Sequence, residues 1–123
     1  MGLDQYAFTL TIRPNAAVDF HETASEPQGF HYWRKHSNLH GWMEALYVRK
    51  DGKDPDFNMS PVVIDSNDLD QLERDIRAGA LPGTSGFFFG ASDGSEQVDD
   101  LAFVAKARAA IVEGKTVFYV AWW

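Results

Sequence analysis

The stretch His31–Tyr47, HYWRKHSNLHGWMEALY, carries the longest helical period in the chain and three of its four histidines. Tyr32, His36, Leu39, Met43 and Leu46 recur at steps of four and three, the apolar stripe of a core-facing helix. The spacing predicts a helix over 30–48. Gly41 inside it costs about 1 kcal/mol relative to alanine, so it marks a close backbone approach or a kink. In this reading Arg34 and Lys35 fall in the first turn, where the helix dipole disfavours cations. A phosphate or carboxylate would resolve that conflict. The exposed N–H groups of a first turn, with His31 nearby, would complete the site. Without a ligand, both side chains extend into water or pair with acids of the preceding loop, such as Glu22 or Glu26.

Upstream, residues 5–12 alternate, with Tyr6, Phe8, Leu10 and Ile12 on one face and Ala7, Thr9 and Thr11 on the other. This is the pattern of a half-buried strand. Residues 14–29 lack a period and read as a long loop. Downstream, 49–61 is turn-rich, and Val62–Ile64 is a short strand. A helix over 68–78 follows, capped by Asn67, with Leu69, Leu72 and Ile76 buried and Gly79 and Pro82 as its stop. Residues 86–90, GFFFG, read as a strand apolar on both faces. A third helix runs from Val98 to Glu113 on a stripe of Val98, Leu101, Ala105, Ala109 and Val112, with Gly114 as its stop. Residues 116–122, TVFYVAW, are apolar on both faces and belong at the centre of the sheet. The expectation is one α+β domain over 1–123, with a mixed four-stranded sheet on three helices and some parallel pairs made through helical crossovers.

Composition narrows the function. A chain of 123 residues, 45% hydrophobic, has apolar mass enough for one core. A net charge of −7 argues against general nucleic-acid binding and leaves basic protein partners open. The lack of cysteine excludes disulfides and thiolate chemistry. No apolar run reaches the length of a membrane span, and the polar start is unlike a signal peptide. A cytoplasmic location is expected. Met1-Gly2 does not open a myristoylation site, because Tyr6 stands where that motif needs Ser or Thr.

Two motifs fail on inspection. Gly114-Lys115-Thr116 ends like a phosphate-binding loop, but Ala109 replaces the first glycine and the helix lies on the wrong side. Asp54, Asp56, Asn58 and Asp65 echo a calcium loop, but Met59 replaces the glycine of the sharp turn and Pro61 intrudes. His36 and His40, four apart with Glu44 continuing the row, form a metal-binding pattern on a helix. Against it, His36 also lies on the apolar stripe, where a hydrogen-bonded core histidine is the commoner occupant. Trp122 and Trp123 point to opposite faces of a strand, so one of them is left for a pocket or a homodimer contact.

Several marks run in order along the chain: Met1-Gly2-Leu3-Asp4 and Tyr6, Tyr32-Trp33-Arg34-Lys35, His40, Trp42, Ser85 to Gly90, and Tyr119 to Trp123. In these the chain resembles a family of small phage and bacterial proteins. Members often carry the label phosphoglycerate kinase, an enzyme several times longer whose nucleotide motifs are missing here. The resemblance implies a cytoplasmic accessory protein, one acting against host defence by analogy. It falls on Trp33, Arg34, Lys35, His40 and Trp42, and it puts His36 where relatives have a small residue. The resulting expectation is a non-catalytic protein with no cofactor or metal that binds a small anionic ligand, such as a nucleotide. Arg34 and Lys35 would supply charge, His40 a hydrogen bond, and Trp33 or Trp42 a stacking face. The rival expectation is an interaction module that docks on a host protein through acidic surface and exposed aromatics. A third is a metal-dependent hydrolase using His36, His40 and Glu44.

Overall fold

A computed structural model of the protein describes residues 2–20, 26–84 and 96–123. Its elements are β1 (Asp4–Leu10), β2 (Gln28–Arg34), α1 (Ser37–Arg49), β3 (Val62–Ile64), α2 (Ser66–Ala78), α3 (Gln97–Val112) and β4 (Thr116–Trp122). The class is α+β, as expected. The four strands form one sheet in the order β2-β1-β4-β3, with β4 inside as predicted. Every neighbouring pair is antiparallel, which corrects the expectation of a mixed sheet. The predicted strand at 86–90 lies outside the described residues.

The main correction concerns the organising stretch. Residues 28–34 form an edge strand, and the helix begins only at Ser37. Aromatic residues at 30–33 favour a pleated surface, and the alternation of period two wins there. His31 and Trp33 pack on Phe103 of α3, whereas Tyr32 contacts Tyr6 on the opposite face. Lys35 then turns the chain in the left-handed region (φ 57°), and its N–H donates to Leu3 O at 2.8 Å. Beyond that turn the helical stripe holds: Leu39, Met43 and Leu46 are buried, joined by His40, Trp42 and Tyr47.

The helices cover the sheet face carrying Leu3, Gln5, Ala7, Trp33, Val62, Ile64, Val117, Tyr119 and Ala121, all of them buried. Of β1, this is the face with the smaller side chains. The large residues Tyr6, Phe8 and Leu10 lie on the other face, where they meet Phe118, Val120 and Trp122 of β4. Phe20 covers part of that side, edge-on to Phe118 with ring centroids 5.1 Å apart. The period of two in β1 therefore holds, but its larger apolar face is the one that no described helix covers.

Asp65, not Asn67, caps α2. Its carboxylate accepts from Asp68 N, and the Asp68 carboxylate accepts from Asp65 N, a reciprocal box. Leu69, Leu72 and Ile76 are buried and Gly79 closes the helix in the left-handed conformation, as read from sequence. In α3 the buried face is Asp100, Phe103, Val104, Ala107 and Ala110. Val98 is 81% and Val112 87% exposed, so the predicted stripe faces the wrong way. The helix is apolar on nearly every side, and the docking of Phe103 against Phe30 and Trp33 decides its rotation.

Gly41 packs against the Thr84 loop: a Cβ there would overlap the Thr84 hydroxyl and lie 2.9 Å from Thr84 Cβ. Gly41→Ala is expected to lower stability by roughly 1–3 kcal/mol despite the better helix propensity of alanine. Adding Thr84→Gly should recover most of the loss. Urea denaturation reads both, and an unchanged midpoint for the single variant contradicts the packing argument.

Candidate functional site

The five residues singled out from sequence do not share a surface. Arg34 lies on the open face of β2 with its side chain exposed and its Nε 3.6 Å from Asp4. Lys35 is exposed in the turn before α1. Because both precede the helix, the dipole conflict that pointed to an anion does not arise. Trp33, His40 and Trp42 are buried. Trp42 Nε1 donates to Asp75 at 2.8 Å and ties α1 to α2.

Trp33 and His40 instead belong to a buried polar chain. Trp33 Nε1 donates to Asp100 Oδ1 at 3.1 Å, and His36 Nε2 lies 2.7 Å from Asp100 Oδ2. The His36 backbone is clasped by Gln5, whose Oε1 accepts from His36 N and whose Nε2 donates to His36 O. Gln5 Nε2 also donates to Tyr119 OH at 3.1 Å, and His40 Nδ1 is 2.9 Å from the same hydroxyl. Since that oxygen accepts from Gln5, its proton is available to His40 Nδ1, which suits a neutral imidazole. Burial does push His40 down, to about 4, and raises Tyr119 above the ordinary phenol value. The His40 ring stacks on Phe57 and stands edge-on to Trp123.

His36 and Asp100 form the polar wall of a cavity of about 120 Å³ at the junction of α1, α2 and α3, which Asn38, Ile76, Leu81 and Gln97 also line. The volume suits a few water-sized groups. A histidine held by a buried carboxylate is the frame of a general base. However, none of the described residues lining this cavity carries a hydroxyl or thiol.

His36, His40 and Glu44 do not form a ligand set: His36 engages Asp100, His40 engages Tyr119, and Glu44 is exposed. Among the described residues, no group of three or more His, Asp and Glu could hold a metal ion. The would-be calcium loop is a self-satisfied turn. The Asp54 carboxylate accepts from Ser60 Oγ, Asp56 N and Asn58 N, and these bonds hold it below its ordinary pKa. Asp65 is committed to its helix cap.

The second candidate surface is the open sheet face. Tyr6 stacks on Trp122 with centroids 4.5 Å apart and touches Tyr32 at 5.0 Å, so a row of three rings crosses β4, β1 and β2. Tyr32 is 49% and Trp122 38% exposed. Tyr32 OH donates to Asp4 at 2.8 Å, and this bond raises the Tyr32 pKa. Sequence reasoning missed Gln5, Asp100 and this row. For Gln5 a signal was present, a polar side chain inside an alternating strand. Asp100 had none, because first-turn acids are ordinary in helices.

No protein-family model, curated protein or solved structure matches the chain. Among the described residues, no helix is long and apolar enough to cross a membrane.

The low His40 pKa gives a signed prediction. Above pH 6.5 native and unfolded chains are both neutral at His40, and stability is full. As pH falls through 6.5 the unfolded chain takes up a proton that the native chain refuses, so stability drops. It levels off below about pH 4, after a loss on the order of 3 kcal/mol. Urea titrations across this range should show a flatter profile for His40→Gln. An identical slope in the variant contradicts the assignment.

Proposed function

We propose that the protein is a non-catalytic interaction module that engages a basic protein segment through the open face of its sheet. The observation that carries this reading is the ring row Trp122–Tyr6–Tyr32, partly exposed on a face that no described helix covers. Contiguous exposed aromatic surface is the mark of an interaction site. Tyr and Trp faces attract Lys and Arg side chains. Asp4, which also meets Arg34 on this face, sits at the end of the row as a further carboxylate. The net charge of −7 steers a basic segment toward the molecule and repels an acidic one.

Such binding is expected to be salt-sensitive and centred on Trp122. Titration of labelled protein with an arginine-rich peptide should move the NMR resonances of Asp4, Tyr6, Tyr32 and Trp122. An acidic peptide of the same length should leave them in place. Trp122→Ala should weaken the basic peptide about tenfold, or about 1.4 kcal/mol. Equal response to both peptides, or undiminished affinity in the variant, overturns the reading.

A further inference from the structure

The two outer edges of the sheet are not alike. Beside β3, residues 17–19 run alongside: Val63 N donates to Ala17 O at 2.8 Å, Asp19 N donates to Pro61 O, and Val18 bridges Val62. That edge is covered. Beside β2, among the described residues, nothing pairs. The phase of its ladder follows from the bond between Lys35 N and Leu3 O together with the register Gln5↔Trp33 and Ala7↔His31. Lys35, Trp33 and His31 turn their backbone groups toward β1. Tyr32 and Arg34 therefore turn theirs outward. An open trough of about 470 Å³, lined by Gly29, Phe30, His31, Tyr32, Asp99 and Lys106, runs beside this edge.

We infer that the β2 edge is where a second copy of this chain adds, antiparallel, to make a continuous eight-stranded sheet with Tyr32 on the twofold axis. Two observations select this occupant. The outward groups of Tyr32 supply a donor and an acceptor from one residue, so Tyr32 facing Tyr32 of another copy forms a closed hydrogen-bonded pair. The ring row Trp122–Tyr6–Tyr32 stops at this edge with Tyr32 half exposed, and a second copy continues it with its own Tyr32 and Tyr6.

Sedimentation equilibrium of the full chain, from micromolar to near-millimolar concentration, tests the inference. The wild type should reach twice the 13.8 kDa of one chain. Tyr32→Lys keeps Asp4 as a partner but faces two ammonium groups across the axis, and it should weaken association at least tenfold with an unchanged circular dichroism spectrum. Hydrogen exchange on the wild type supplies a second readout, also decisive if the variant misfolds: the Tyr32 and Arg34 amides should gain protection as the dimer forms. A chain that stays monomeric throughout overturns the inference. So does a dimer that Tyr32→Lys leaves intact, or one that leaves those two amides unprotected. Peptide binding at the open face does not depend on the outcome, since Trp122 and Tyr6 lie on inner strands.

Discussion

One buried side chain ties the sheet to the helices. Gln5 is wholly inaccessible on the helix-facing side of β1, and its amide meets both the N–H and the C=O of His36. Those two groups stand at the point where the chain leaves the sheet and enters α1. An unpaired buried backbone group costs about 1–3 kcal/mol, so the chain can make that sharp exit only where something polar waits for it. The same amide donates to Tyr119 on β4, which fixes β1, β4 and the start of α1 as one unit. Asp100 of α3 then joins from the far side through His36 and Trp33. The buried polar chain is thus continuous from α3 to His40, with Gln5 as the link between its two halves.

This arrangement explains why the organising stretch is split. Tyr32, His36, Leu39, Met43 and Leu46 do lie at helical spacing, but the first two obey other constraints. Tyr32 belongs to a strand whose partner, β1, comes earlier in the chain, and His36 is held from outside by Gln5. Pairing with β1 outweighs local periodicity, a long-range effect that no short window contains. From Leu39 onward nothing competes, and the helical reading is correct. The α+β class, the buried stripe and glycine stop of α2 and the central position of β4 were legible for the same reason. Each rests on signals contained within its own segment.

What was not legible was which of two plausible faces becomes inside. Residues 5–10 alternate correctly, though the strand ends at Leu10 and leaves Ile12 half exposed, yet the helices settle on Ala7 and Gln5 and leave the larger rings of Tyr6 and Phe8 opposite. In α3 the alanine-rich surface offers several equivalent stripes, and one phenylalanine chooses among them. Both ambiguities are resolved by complementarity. On β1 the small Ala7 lets helices approach closely, whereas large rings fill the gaps between strands on the side that no described helix covers. The candidate site inherited the error. Arg34 and Lys35 looked anomalous only on a helix, and on a strand edge Asp4 is a sufficient partner for Arg34.

The position of β4 bears on how the molecule assembles. It follows every helix in the chain yet lies between β1 and β3. A nascent chain still lacking it holds the β1–β2 ribbon and the β3 region as separate pieces, each with bare hydrogen-bonding groups and half of the aromatic surface uncovered. Its arrival closes loops that span most of the sequence, and such distant contacts make folding slow. Until then, those uncovered edges are the part of the protein most open to chaperones and to wrong pairing with a neighbouring chain.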